Sequence, residues 1–175
     1  YSTNGTTWTA GGALSASATW TAMASGGGRW VAIAQGNNIN AFTTDPTASW
    51  TAGGTGTALG NFSWSAITYG NGVFMAVASG SAAAAYSTTG VSWTATGALP
   101  ASTTWSGVTY GNGVYVAVAS GGTQAASSAD GLSWATRALP TSATWSGVTF
   151  GKGVFVAVAS GSRISAYSRD GITWI

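Results

Sequence analysis

Residues 145–174 read WSGVTFGKGVFVAVASGSRISAYSRDGITW, and this stretch decides the fold of the chain. It begins at a Trp, turns at Gly151-Lys152-Gly153, continues through an apolar run and ends at a second Trp after an Asp-Gly pair. Nearly the same text occupies residues 64–93 and 105–134, and a looser version occupies residues 20–50. The chain is therefore one module written four times.

Two series of Trp residues give the period of this repeat. The first series has spacings of 42, 43, 41 and 40 residues and consists of Trp8, Trp50, Trp93, Trp134 and Trp174. The second has spacings of 44, 41 and 40 residues and consists of Trp20, Trp64, Trp105 and Trp145. Both Trp series have nearly the same period, so the fold class is inferred first from the internal repeat and then from local features.

Within a unit, the apolar run has the two-residue period of a β-strand. In VFVAVA (154–159), the residues with even numbers are Val and face one way, whereas those with odd numbers are Phe or Ala and face the other. Both faces are apolar, which indicates a strand that is covered on both sides. Signals for the start or end of a helix are missing throughout the sequence.

Turn residues divide each unit into four short strands. The sequences GNG or GKG at 70–72, 111–113 and 151–153 supply the positive φ that tight hairpins require. A second set of pairs lies farther along each unit and favours type I′ turns: Asn4-Gly5, Asp130-Gly131 and Asp170-Gly171, with Thr89-Gly90 in the same place. Four antiparallel strands repeated every 40 to 44 residues are typical of one blade of a β-propeller.

The predicted architecture is an all-β propeller with four full blades and an N-terminal half blade. The half blade covers residues 1–9, and the blades cover about 18–51, 62–95, 103–136 and 143–175. Residues 1–9 match only the last two strands of a unit. We therefore expect a segment of a longer propeller, with self-association of the piece as the alternative. The Trp side chains are expected to fill the gaps between blades, since each can remove about 150–250 Å² from water.

Composition argues against several classes of function. Hydrophobic residues make up 45% of the chain and charged residues only 5%, compared with about 25% charged in an average domain. The five cationic residues are scattered singly, whereas nucleic-acid binding needs clustered Lys and Arg. No run approaches the roughly 20 apolar residues of a membrane-spanning helix. We expect neither a nucleic-acid partner nor membrane insertion.

Three segments carry a resemblance to a known repeat family. YSTTGVSW (86–93), SSADGLSW (127–134) and YSRDGITW (167–174) resemble the Asp-box or BNR-like repeats of sialidase-type propellers. The strands YGNGVFMAVAS and FGKGVFVAVAS resemble their companions in bacterial and bacteriophage BNR or WD40/YVTN-like repeat proteins. The resemblance implies a propeller and no particular activity, because these repeats support many unrelated functions. The sialidase form of the box has one more residue between Asp and Gly, and Asp130 and Asp170 are interpreted as turn formers.

The side chains available for catalysis are few. The chain has no His, no Cys and no Glu, which leaves no conventional triad and no ordinary zinc site. Glycosidases need two carboxyl groups about 5–10 Å apart. Asp45, Asp130 and Asp170 fall instead in outer turns of different units. We predict a protein that is not an enzyme and that uses no cofactor and no metal.

Two groups of residues are candidates for ligand binding. Tyr69, Tyr110 and Phe150 recur just before the first turn of their units, where they could stack on sugars or pack in the core. Arg163 and Arg169, with Arg137 of the preceding unit, could form a basic patch for an anionic glycan or a partner protein. The alternative role of these Arg residues is solubility on a surface with few charges.

The predicted function is a non-enzymatic structural and binding module. Its expected location is extracellular or on a virion surface, as in a bacteriophage tail, fibre or capsid-decoration protein. The expected partners are other structural proteins or additional copies of the chain, and surface glycans are a further possibility. Two alternatives stay open: a sialidase-type glycoside hydrolase whose catalytic residues lie outside this segment, and a multivalent lectin.

Overall fold

The computed structural model describes residues 1–54 and 59–175, and every regular element in these residues is an antiparallel β-strand. The all-β prediction is confirmed. We call the four repeats, which begin near residues 18, 62, 103 and 143, units I to IV. Unit I forms a four-stranded sheet in sequence order, with strands β1 (Trp20–Gly26), β2 (Arg29–Ala34), β3 (Asn40–Thr43) and β4 (Thr51–Ala52). Unit II repeats this order with β5 (Ser63–Gly70), β6 (Val73–Ser81), β7 (Ala84–Ser87) and β8 (Thr94–Ala95).

In units III and IV, consecutive strands run into one another. The remaining strands are β9 (Thr103–Gly111), β10 (Val114–Ser128), β11 (Ala135–Gly151), β12 (Val154–Ala159) and β13 (Ser165–Ser168). The start of β10 pairs with β9, and its end pairs with the start of β11, whose own end pairs with β12. The predicted order of pairing is therefore kept, whereas the prediction of short, separate strands is wrong for β10 and β11. Backbone pairs such as Ser79↔Thr104 and Ser120↔Thr144 bridge neighbouring units and join units II to IV into one nine-stranded sheet.

The first and last nine residues form equivalent hairpins. Tyr1 and Thr9 exchange two backbone hydrogen bonds of 2.7 and 2.8 Å, and Tyr167 and Ile175 exchange two of 2.9 and 3.0 Å. The two segments YSTNGTTWT and YSRDGITWI also match in sequence. Residues 1–9 therefore form the same kind of hairpin as the end of unit IV, and their assignment to a half blade stays a prediction.

The two kinds of turn have different backbones. In the first turn both central residues have positive φ, as a type I′ turn requires; the values are 49° and 80° at Asn71 and Gly72. In the second turn only the glycine does, with 73° at Gly131 and 71° at Gly171. The prediction of type I′ turns at the Asx-Gly pairs is therefore wrong. The Asx side chain accepts hydrogen bonds from the backbone ahead of it, and an Asx turn of that kind needs no left-handed Asx residue.

The two faces of each second strand belong to two different cores. In β10, Tyr115 and Ala117 pack in the core between units II and III, whereas Val116 and Val118 pack in the core between units III and IV. All four side chains are inaccessible to solvent. The alternation that the sequence predicts thus divides one strand between two neighbours, so each unit is buried only through the units beside it.

The Trp side chains occupy these cores in two ways. Trp64, Trp105 and Trp145 are at most 1% exposed, and their indole N–H groups donate to backbone carbonyls 2.6 to 3.2 Å away. Four Trp residues of the first series also lie in or against the cores: Trp50, Trp93, Trp134 and Trp174. Trp8 of the N-terminal hairpin differs from all of these, since 73% of it is exposed.

Removing a Trp from a core should cost far more stability than removing the exposed one. Trp105→Ala should lower the free energy of unfolding by at least about 3 kcal/mol, because it leaves a large cavity between units II and III. Trp8→Ala should change it by less than about 0.5 kcal/mol. Urea unfolding of both variants tests this difference. Equal losses would contradict the assignment of stability to the cores between units.

Candidate functional site

A hydroxyl group in the first strand of each unit binds that unit to the next. Ser65 Oγ donates to the backbone carbonyl of Trp105 at 2.6 Å, and Ser106 Oγ donates to that of Trp145 at 2.7 Å. Thr21 makes the same bond to the next unit at 2.8 Å. Each hydroxyl also lies near a carbonyl of its own second strand. The repeat therefore carries one polar link across every internal boundary.

An aromatic ring covers a glycine across the same boundary. A Cβ on Gly70 would lie 2.1 Å from Cγ of Tyr110, and one on Gly111 would lie 2.1 Å from Cγ of Phe150. Such distances are impossible between real atoms, so only glycine permits the ring to lie there. Tyr69 covers Gly26 in the same manner.

The predicted sugar-stacking residues Tyr69, Tyr110 and Phe150 are these rings. They are half-buried, and each packs on an aromatic residue of its own second strand with ring centroids 4.6 or 4.7 Å apart. They recur one unit apart, and Tyr69 and Tyr110 both lie near Tyr115. Packing accounts for their recurrence, and a role in sugar binding stays a prediction.

One buried tyrosine reinforces a boundary with a hydrogen bond. Tyr115 is fully buried and its Oη donates to the backbone carbonyl of Gly70 in the preceding unit at 2.5 Å. Burial, followed by the nearby Tyr110 and Tyr69, raises the pKa of Tyr115 to about 12. The hydroxyl therefore stays protonated near neutral pH and serves as a structural donor.

Asp130 and Asp170 are each engaged within their own turns. Asp130 Oδ1 accepts hydrogen bonds of 2.8 Å from the backbone N–H groups of Leu132 and Ser133, and a third of 2.9 Å from the Ser128 hydroxyl. Asp170 has the same three partners one unit later. The N–H of Ser133 contributes most to holding the pKa of Asp130 below its ordinary value. Through these hydrogen bonds each Asp stabilises its own turn.

The Arg residues of the predicted basic patch differ in burial and in their contacts. Arg163 and Arg169 are exposed and lie just before and just after β13, at opposite ends of that strand. Arg137 is half-buried and its Nε donates to Ser127 Oγ at 2.9 Å. Joint binding of an anionic ligand or a partner protein by these cations stays a prediction.

Sequence reasoning did not identify the most unusual surface, which is the open face of unit IV. Val156 and Val158 of β12 are 38% and 49% exposed, although the equivalent residues of the units before them are fully buried. Ser146 is exposed and its Oγ reaches only the carbonyl of Val158 in its own unit, at 3.3 Å. Among the described residues, nothing lies within 4 Å of a Cβ built on Gly151. We call Ser146, Gly151, Val156 and Val158 the C-terminal edge.

Unit I presents the complementary face. Met23 is 58% exposed, whereas its equivalents Ile67 and Val108 are buried, and Trp30 is 37% exposed in the place of the buried Phe74. Within residues 1–54 and 59–175, no side chain donates to the carbonyl of Trp20. We call Trp20, Met23 and Trp30 the N-terminal edge.

A cavity of about 680 Å³ adjoins the N-terminal edge. The residues that line it are mostly apolar and include Tyr1, Trp8, Leu14, Met23, Trp30 and Trp50. Residues of the N-terminal hairpin and of unit I therefore line it together. A smaller recess of about 310 Å³ beside unit II is lined mainly by Ala, together with Phe62, Ser81 and Thr96. Neither cavity is lined by a charged side chain.

The described residues offer no assembled set of metal ligands. Within residues 1–54 and 59–175, no three carboxylate, His or Cys side chains come together. The part of the chain that the structure describes also lacks any helix long and apolar enough to cross a membrane.

Comparison with known proteins places the fold. No family model and no curated protein sequence matches the chain. Among solved structures, a streptogramin B lyase superposes with a TM-score of 0.75 at 11% identity and covers 90% of this chain and 54% of its own. YCF48 bound to a D1 peptide gives 0.62 at 21% identity, covering 89% of this chain and 51% of that one.

A computationally designed protein, Ika4, superposes over nearly its whole length. Its TM-score is 0.63 at 14% identity, and the match covers 93% of this chain and 98% of that one. This chain spans about half the length of the lyase and of YCF48. The similar structures are β-propellers, and at these identities they show that the chain has the β-propeller fold.

The glycine that ends the first strand of each unit should be essential only where an aromatic ring of the next unit covers it. Gly70→Ala should lower the free energy of unfolding by about 2 kcal/mol or more, because its Cβ would collide with the Tyr110 ring. Gly151→Ala, at the same place in unit IV, should be neutral or slightly stabilising, since Gly inside a strand is unfavourable by about 0.5–1 kcal/mol relative to Ala. Thermal melts of the two variants measure this contrast, and a large loss for Gly151→Ala would contradict an open C-terminal edge.

The turn carboxylates should make stability depend on pH in acid. Their pKa values are lowered in the folded state, so they add stability above about pH 4 that is lost as pH falls through the folded pKa. Asp130→Asn/Asp170→Asn should keep the hydrogen bonds, as Asn4 does in the N-terminal hairpin, and should not titrate. Urea midpoints measured between about pH 5 and pH 3 should therefore fall less for the variant. Parallel curves for the two proteins would contradict this role.

Proposed function

We propose that the chain is a non-enzymatic β-propeller module that binds other proteins through its two apolar edges, within an extracellular or virion assembly. The observation that carries this proposal is the exposure of Met23, Trp30, Val156 and Val158 at positions that are buried in the units between. Contiguous exposed apolar surface of this kind marks a protein interaction site. The expected partners are other structural proteins or further copies of the chain.

The chemistry of the edges suits a protein partner. The residues that define them are apolar or carry backbone and hydroxyl hydrogen-bonding groups, and none is charged. A strand of another protein could cover the Val face and accept the hydrogen bond of Ser146. One similar propeller, YCF48, is known with a bound D1 peptide, which supports a protein or peptide as the class of ligand.

The absence of catalysis is part of this proposal. Asp130 and Asp170 are held by three hydrogen bonds each within separate turns, and a paired-carboxylate mechanism needs two such groups across one bond. The similar structures include a lyase, so propellers of this kind can support chemistry when other residues are present. The residues described here give no nucleophile with a base beside it.

Site-specific cross-linking tests the proposal. A photoreactive phenylalanine derivative at Val158 in the full chain, expressed in its own organism, should give products with a structural protein or a second copy. The same group at Leu132 is the control, because Leu132 is equally exposed but lies in a turn of unit III. Identical products at both positions would contradict binding through the edge, and turnover of a fluorogenic sialoside by the purified chain would contradict the non-enzymatic part of the proposal.

A further inference from the structure

We infer that the C-terminal edge of one copy packs on the N-terminal edge of a second copy, repeating the contact that units III and IV make within the chain. This inference rests on the proposed function and names its partner. The two edges are different surfaces, so the association is head-to-tail, and each copy can bind one neighbour at each edge.

The internal core between units III and IV is the template for the contact. On its unit III side lie Val116 and Val118, and their equivalents in unit IV are the exposed Val156 and Val158. On its unit IV side lie Trp145 and Phe155, whose equivalents in unit I are Trp20 and Trp30. The two edges of the chain are therefore the two halves of one core.

The polar groups of the edges also match. Ser106 Oγ of unit III donates to the Trp145 carbonyl at 2.7 Å. Its equivalent in unit IV is Ser146, which lacks that second partner, and the equivalent carbonyl in unit I belongs to Trp20. Bringing the edges together would supply the missing hydrogen bond. It would also bury no charge of the residues that define the edges, and this favours association because a buried unpaired charge strongly destabilises an interface.

The duplicated hairpins decide which segment lies at the junction. Residues 1–9 of the second copy and residues 167–175 of the first would occupy the same place. Trp174 is buried in the core of unit IV, whereas Trp8 is largely exposed. The segment that follows the N-terminal hairpin is held to unit I by two backbone hydrogen bonds, from the N–H of Gly12 to the Pro46 carbonyl and from the N–H of Trp50 to the Ala13 carbonyl. Because Trp8 is largely exposed, the N-terminal hairpin is the segment that moves aside. While the hairpin stays in place, it weakens the association of two copies.

Sedimentation velocity of the full chain over a concentration series tests the inference. The wild type should associate, and Val158→Asp or Met23→Asp should each raise the dissociation constant at least about tenfold, since either places a charge in an apolar contact. An equimolar mixture of these two variants should form a one-to-one complex and nothing larger, because only one intact pair of edges remains. Leu132→Asp is the matched control and should associate as the wild type does.

Two further variants each remove one polar side chain and introduce no charge. Ser146→Ala should weaken association about threefold to tenfold by removing one hydrogen bond. Asn4→Ala should tighten it, because the turn of the N-terminal hairpin loses the hydrogen bonds from the backbone N–H groups of Thr6 and Thr7, and a less stable hairpin is displaced more easily. A dissociation constant that rises in Asn4→Ala would overturn the displacement of this hairpin.

Other outcomes would overturn the inference itself. A wild type that stays monomeric at all concentrations would overturn it. Full self-association of Met23→Asp together with loss of association in Val158→Asp would also overturn it, because that result indicates a symmetric contact between two C-terminal edges. Monomeric protein together with Val158-specific cross-links to a different structural protein would leave the proposed function standing and remove only the second copy as the partner.

Discussion

Packing between neighbouring units is the interaction on which the rest of this structure depends. Each second strand gives one face to the unit before it and the other to the unit after it, as Tyr115 and Val116 show in β10. A small sheet with two apolar faces cannot bury itself. Stability is therefore a property of the boundaries, and a unit with only one neighbour must expose the face that its missing neighbour would cover.

Each boundary combines three contacts that differ in chemistry. Apolar side chains interdigitate, a first-strand hydroxyl crosses to a Trp carbonyl, and an aromatic ring lies on a glycine. Because these contacts come from equivalent positions in the repeat, one strand-turn-strand sequence specifies both sides of the contact. The fold is stable with only 5% charged residues, because neither the cores nor the turns need an ion pair.

Much of the fold could be predicted from the sequence. The Trp period and the two-residue alternation of VFVAVA are strong signals, because a strand covered on both sides allows few other patterns. The type I′ prediction at Asp130 and Asp170 was wrong because the pair Asp-Gly is compatible with two turns, and the side-chain hydrogen bonds that decide between them depend on residues farther along the turn. The merging of strands in β10 and β11 arises from backbone pairs between units, which no single unit reveals.

The candidate site was harder to find from the sequence, because its residues are ordinary core residues without a neighbour. Val158 has the same sequence context as Val118, and only its position in the series of units makes it exposed. Tyr110 drew attention as an aromatic residue in a repeated place, whereas Gly70 beneath it explains that repetition through packing. A structure of the native assembly at side-chain resolution is the most direct test of this account. It should show Val156 and Val158 against Trp30 of a second copy, with Ser146 near the carbonyl of Trp20; a solvent-exposed Val158 in the complete assembly would contradict the central role of the boundaries.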